Sequence, residues 1–196
     1  MVGIGYVGLV SAACLAEAGN NVICVDKDEK KIAYLKKETV PIYEPGLTEI
    51  IKHNVKAGRL HFSTDLKHGI NDSLIIFLAM GTPSAPDGSA DLSAILSVVA
   101  EIAEIMDEYH IIVIKSTVPA NTHKKVAELI RSKTLQPFDY VSNPEFLKQG
   151  TAVEDFMHPE RIVIGTTNPA VMVIMKQLYS SFMRKTNRVI FMDPVS

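Results

Sequence analysis

Two features of this chain are of a type and spacing that could do chemistry. The first is the run Gly3-Ile4-Gly5-Tyr6-Val7-Gly8, a G-x-G-x-x-G pattern that opens straight into an apolar, helix-forming segment, Leu9 to Ala18. In such a turn the first glycine allows a tight bend, the second lets a pyrophosphate approach the backbone, and the third lets the helix pack close to a sheet. The helix N-terminus then offers the phosphates its unpaired N–H groups and the positive end of its dipole. The second feature is Asp26, which ends the apolar run Val22-Ile23-Cys24-Val25 eighteen residues after Gly8. That is close to the ~20 expected of an acid that holds a ribose diol. A glycine run alone is a common close-packed turn, and a lone aspartate is a common first-turn residue of a helix. Glycine turn, helix, buried strand and terminal acid in that order make a dinucleotide site. A carboxylate accepts hydrogen bonds from the 2′- and 3′-hydroxyls and repels a 2′-phosphate, so the expected cofactor is NAD rather than NADP.

The elements that must position these groups alternate between strand and helix. After Val22–Val25, a charged helix is expected over 28–37, with Ile32 and Leu35 inward, and Lys31 on it could reach the adenosine side. A long, proline-stiffened loop follows, 38–46, containing Tyr43-Glu44-Pro45-Gly46; its length and rigidity suggest a purpose beyond connection. An amphipathic helix carries Leu47, Ile50, Ile51 and Val55 and stops at Gly58. Further strands are read at 60–63, 74–80, 111–115, 140–142, 161–164 and 189–192, with Gly165 ending the fifth of them. Asp91 caps a helix bearing Leu92, Ile95, Val98, Val99, Ile102, Ile105 and Met106. A helix with Val126, Leu129 and Ile130 inward follows later, and Asn168-Pro169 opens another over 170–183. The alternation predicts an α/β fold, a doubly wound, mostly parallel, Rossmann-like sheet covered on both faces. Only Met1 and Val2 precede Gly3, so the first strand is expected to be truncated, most simply by loss of upstream residues. Polar turns recur at the strand ends: Asp26, Gly81-Thr82-Pro83, Ser116-Thr117 and Asn143-Pro144-Glu145. Ligands bind outside such carboxyl ends, so one cleft lined by all four is expected.

Composition narrows the alternatives. The 196 residues suffice for one full core, and a net charge of −2 argues against a broad nucleic-acid surface. No apolar run approaches the ~18 residues of a membrane span, and no signal-peptide pattern is present. Cys14 and Cys24 lie in apolar segments and suit the core of a protein in a reducing, cytoplasmic compartment. The six histidines show no metal-ligand spacing, so no metal site is expected.

Five motifs in order, Gly3 to Leu9, Tyr43-Glu44-Pro45-Gly46-Leu47, Gly81-Thr82-Pro83, Lys115-Ser116-Thr117-Val118-Pro119 and Asn143-Pro144-Glu145-Phe146-Leu147, resemble the N-terminal half of the UDP-glucose/GDP-mannose dehydrogenase family. The resemblance covers nearly the whole chain, and Tyr43-Glu44-Pro45 and Ser89-Ala90-Asp91-Leu92 lean towards UDP-glucose as the substrate. It implies oxidation of the C6 alcohol of a nucleotide sugar to a carboxylate with two NAD and no free aldehyde. By resemblance, Gly3, Ile4, Gly5, Tyr6, Val7 and Gly8 hold the pyrophosphate, Asp26 and Lys31 meet the adenosine ribose, and Thr82 and Pro83 border the nicotinamide. Ser116, Thr117 and Gln149 also face the cofactor. Thr117 and Glu145 are the implied catalytic residues, Thr117 orienting water and Glu145 moving protons during thioester hydrolysis. Glu145, Phe146, Leu147, Lys148 and Gln149 cradle the sugar. Taken without the resemblance, Thr117 reads as a helix cap before Pro119 and Glu145 as a cap on the segment from Phe146. Relatives often carry glutamate where Gln149 stands, and an amide is no base at neutral pH. The family's nucleophilic cysteine, catalytic lysine, pairing helix and UDP-sugar domain lie beyond Ser196. The expectation is therefore an NAD-binding domain over 1–196, inactive alone, from a homo-oligomeric enzyme. The competing readings are a GDP-mannose or UDP-N-acetylhexosamine dehydrogenase domain and a non-catalytic NAD-binding module.

Overall fold

The computed structural model describes residues 1–85, 87–183 and 189–194. Helix α1 spans Tyr6–Glu17, and strand β1 Val22–Val25. They are followed by α2 (Glu29–Lys36), α3 (Leu47–Lys56), β2 (Leu60–Ser63), α4 (Leu66–Asn71) and β3 (Ile75–Leu78). Next come α5 (Ser93–Ile105), β4 (His110–Ile114), α6 (Thr122–Lys133), β5 (Phe138–Ser142) and α7 (Ala152–Met157). Strand β6 (Ile162–Gly165), α8 (Pro169–Tyr179), a 3-10 turn and β7 (Val189–Met192) close the chain.

Met1 and Val2 occupy the middle of the sheet. Val2 bridges Val25 on one side and Leu78 on the other, both in parallel sense. Its N–H donates to the Phe77 carbonyl at 2.8 Å, its carbonyl accepts from Ala79 N–H at 2.9 Å, and the Met1 carbonyl accepts from Val25 N–H at 2.8 Å. These bonds join the pair β1–β2 to the run β3-β4-β5-β6-β7. The described strands pair in parallel except β5 with β6, where Ser142 faces Gly165 in antiparallel register. Gly165 is the last residue of its strand, so β6 ends where the sequence places its end.

Strands β1, β3 and β4 are short, mostly apolar and largely buried on both faces, as a covered parallel sheet requires. Along β4, Ile111 and Val113 enter the core beneath α1, α3 and α8, while Ile112 and Ile114 enter the core beneath α5 and α6. This is the period-2 alternation of a pleated strand. Helix α1 is buried almost all round because α3 and α7 pack on it over the sheet. It begins at Tyr6, three residues before the expected Leu9, so the last glycine of the run lies in its first turn. Helix α7 has no counterpart in the sequence reading, since six residues are too few for a periodic signal.

Gly3 sits at φ +82°, in the left-handed region, and a Cβ on Gly8 would stand 2.0 Å from the Gly3 carbonyl oxygen. Gly8 therefore fixes how closely the helix meets the turn. Gly5 has φ −67° and no atom within 4 Å of where a Cβ would be. Its openness is of use to a ligand, not to the fold. Gly8→Ala is accordingly expected to lose about 1–3 kcal/mol of stability, whereas Gly5→Ala stays within about 0.5 kcal/mol of the parent; thermal unfolding of the two variants checks both.

Candidate functional site

The polar turns after β1, β3, β4 and β5 all lie at the carboxyl ends of their strands; of the four, Asn143-Pro144-Glu145 lines a cavity, and the other three do not line it. Gly5 is the N-cap of α1 and brings no side chain to cap it, so first-turn N–H groups remain for a ligand. Asp26, at the end of β1, turns towards this point: its Oδ2 accepts the Ile4 N–H at 3.0 Å. The same oxygen pairs with Lys31 Nζ at 2.8 Å, and Oδ1 accepts the Asp28 N–H at 3.0 Å. Desolvation pushes the Asp26 carboxyl up, but the Lys31 ammonium and the amides of Asp28 and Ile4 outweigh it and hold the group below the usual carboxylate range. Asp26 is thus ionised and aimed at the glycine turn. Capping of α2 falls to Asp28, whose side chain accepts from Lys31 N–H.

Further along the sheet, Thr82 Oγ1 donates to the Thr117 carbonyl at 2.9 Å and Ser116 Oγ to the Met80 carbonyl at 2.5 Å. These bonds lock the turns after β3 and β4 together, with Pro83 and Thr117 exposed. Thr117 is not a helix cap; that place is taken by Asn121, in a left-handed conformation before Thr122.

Beyond them lies a cavity of about 150 Å³ lined by Lys115, Asn143, Glu145, Phe146, Leu147 and Lys148 together with residues of α7, of 158–162 and Tyr179 of α8. Glu145 Oε2 accepts the Leu147 N–H at 2.5 Å, so the expected local cap exists, and the residue also lines the cavity. Phe146 is half exposed with the Arg161 guanidinium over its ring at 4.8 Å. The Lys148 N–H donates to Asp155 at 3.0 Å. Gln149 is exposed and lies outside the cavity lining.

Two residues that the sequence reading gave no role organise this region. Glu44 is 4% exposed. Its carboxylate accepts Tyr6 Oη at 2.5 Å, Gly150 N–H at 2.9 Å and Ala152 N–H at 2.7 Å. One side chain thereby ties the first residue of α1 to the segment that carries Glu145. Desolvation opposes its charge, but the bonds from Tyr6, Gly150, Ala152 and Val153 prevail and keep it below its ordinary value. The stiff Tyr43-Glu44-Pro45 loop was the available signal. The second residue is Lys115, 3% exposed at the end of β4. Burial, partly offset by the nearby Glu145 charge, pulls its ammonium down to about 8.

Cys14 and Cys24 are buried, and burial pushes both thiols up to about 12, so neither supplies a thiolate at neutral pH. Among the described residues no cluster of three or more His, Cys, Asp or Glu could hold a metal, and no helix is long and apolar enough to cross a membrane.

Residues 1–183 match the NAD binding domain of the UDP-glucose/GDP-mannose dehydrogenase family. The chain belongs to that family. It is 44% identical over 197 residues to the UDP-glucose 6-dehydrogenase of Pseudomonas aeruginosa, covering 98% of this chain and 44% of the relative. A solved UDP-glucose dehydrogenase from Pyrobaculum islandicum superposes with a TM-score of 0.93 at 34% identity, over 99% of this chain and 45% of that one. The GDP-mannose dehydrogenase of Pseudomonas aeruginosa, solved as a ternary complex, superposes with a TM-score of 0.92 at 33% identity, over 99% and 46% respectively. The chain thus spans less than half the length of each of these relatives. For a family whose first domain binds NAD, the open Gly5, the uncapped α1 and the ionised Asp26 are a fitting set of partners.

Two outcomes follow for the buried charges. Glu44→Gln is expected to lose about 1–3 kcal/mol at pH 7, because an amide cannot accept all the bonds the carboxylate does. The native carboxyl lies below its ordinary 4.5, so its contribution is present above that value. The deficit should shrink as the pH falls through the native titration, which denaturant unfolding at stepped pH measures. Lys115→Met should gain roughly 1–3 kcal/mol at pH 7. The gain should fade between about 8 and 10.5, the native and ordinary values, since the parent sheds its buried charge there while its unfolded chain does not.

Proposed function

We propose that residues 1–196 are the NAD-binding part of a nucleotide-sugar 6-dehydrogenase, with UDP-glucose as the substrate and UDP-glucuronate as the product. The observation that carries the reading is a dinucleotide turn with Asp26 facing it, on the same carboxyl edge of the sheet as a cavity bordered by Glu145. The 44% identity to a UDP-glucose 6-dehydrogenase supports the choice of sugar. Oxidising the C6 alcohol to a carboxylate removes four electrons, so one water is consumed and two NAD become two NADH. NAD supplies the hydride acceptor.

The chain's own residues bind and orient. Main-chain N–H groups at the start of α1 meet the pyrophosphate. A carboxylate offers about four acceptor sites, and Asp26 already fills three, with Ile4, Asp28 and Lys31. A ribose diol takes the fourth and displaces the Lys31 ammonium, which then stands beside the ribose. Thr82 and Pro83 border the nicotinamide side, Thr117 orients water, and Glu145 moves protons to and from it. Phe146 to Lys148 cradle the sugar, and Gln149, outside the cavity lining, could bring hydrogen bonds from its rim but no base. Neither buried cysteine can form the thioester, so the nucleophilic thiol and the catalytic lysine belong to a second half of a homo-oligomeric, cytoplasmic enzyme.

Calorimetric titration with NAD tests the first half of this reading. Asp26→Asn should weaken binding about 10- to 100-fold, the worth of a hydrogen bond to a charged group, and should narrow the preference over NADP. Equal affinity of parent and variant would contradict it. In an NADH-formation assay, residues 1–196 should be silent with UDP-glucose, while the complete enzyme should turn it over faster than GDP-mannose or UDP-N-acetylhexosamines. Turnover by residues 1–196 alone would overturn the missing-thiol argument.

A further inference from the structure

Lys115 is a buried cation to which the chemistry above gives no task. It stands one residue before the Ser116-Thr117 turn and lines the cavity with Glu145. An ammonium has three donors. Among the described residues, Lys115 Nζ makes a single long hydrogen bond, to Asn143 Oδ1 at 3.5 Å, and lies 5.5 Å from the centre of the Phe156 ring. Asn143 is itself held from both sides. Its amide donates to the Val163 carbonyl at 2.8 Å, and its oxygen accepts Tyr179 Oη at 2.5 Å. The Asn143 oxygen is therefore fixed as an acceptor beside Lys115, and Lys115 has donors to spare at the cavity wall.

A buried ammonium with one weak partner costs stability, so packing alone does not account for it. The charges that reach it come from several elements. Glu145, on the segment after β5, attracts it. Asp155 of α7 and Glu160 also line the cavity, as do the cationic Lys148 and Arg161 and the titratable His158 and Tyr179. Asp155 is already paired with Lys148 at 3.8 Å and accepts two further hydrogen bonds, from the Lys148 N–H and Thr151 Oγ1. Arg161 is stacked on Phe146.

Building on the dehydrogenase reading, we propose that Lys115 is a positioning residue of this site, its ammonium holding the Glu145 carboxylate in place beside the cavity. It acts by charge across the cavity wall and not by touching the reacting carbon. Burial pulls the lysine down to about 8, so most of the charge it supplies is present at neutral pH and is lost in mildly alkaline solution.

The test combines turnover with a titration that needs none. In the complete enzyme, NADH formation from UDP-glucose should fall on an alkaline limb with a midpoint near pH 8. Lys115→Met should reduce kcat at least about tenfold, leave the KM for NAD within about twofold, and abolish that limb. Lys115→Arg, whose charge persists, should recover most of kcat and move the limb up by at least about one pH unit. A structural role predicts the reverse pattern, with Arg no better than Met and the limb unmoved, and that result would overturn the proposal. Independently, NMR of the same protein labelled with 13Cε-lysine should show the Lys115 midpoint falling by at least about half a unit in Glu145→Gln. An unmoved midpoint overturns the pair whatever the kinetics show. A shifted midpoint in a parent that oxidises no nucleotide sugar supports the pair and sinks only the activity assigned above.

Discussion

The structure depends on the main-chain hydrogen bonds of Met1 and Val2. Residues of β1 and β3 would otherwise have no common neighbour, because among the described residues this dipeptide joins the pair β1–β2 to the run β3 through β7 in the sheet. The consequence for ligand binding is direct. Gly3 leaves the centre of the sheet at a fixed height, its N–H held by the Val25 carbonyl at 2.9 Å. The next amide, on Ile4, is taken by the acid that ends the neighbouring strand. A helix launched from that point at Tyr6 directs its unpaired N–H groups along the carboxyl edge of the sheet, where the other polar turns emerge.

Much of this was legible in the residues. Buried parallel strands are continuous apolar runs, and those around Val22–Val25 and Ile111–Ile114 read as such. The glycine turn and Asp26 were legible because each glycine answers a different steric demand, seen here in the positive φ of Gly3, the open space at Gly5 and the contact at Gly8. The antiparallel entry of β6 was not legible. Strand direction depends on what the connection packs against, and α7, which begins that connection, is too short to announce itself. The start of α1 was misplaced by three residues because glycines within a first turn carry no helical signal of their own.

The site was legible by type more than by mechanism. Glu145 is an ordinary turn residue until the cavity it lines is known, and it does serve as a local cap. Glu44 was hidden for another reason. Its partners lie more than a hundred residues away at Gly150 and Ala152, and no local pattern records a contact of that separation. The proline-stiffened loop shows its purpose only when the Glu44 carboxylate is seen bonding both Tyr6 and the main chain after Glu145. The start of α1 and the segment after Glu145 are thereby held in one register.

Backbone amide NMR of the chain during titration with NAD addresses the central claim, that an ADP moiety lies across this edge of the sheet. The largest shifts should fall on Gly3 to Gly8 and on Asp26 to Lys31, with the Ile4 amide still bonded and the Lys31 side chain released from Asp26. Saturating NAD that leaves these amides unmoved, or that shifts only residues at the opposite edge such as Asn20 to Val22, would contradict it.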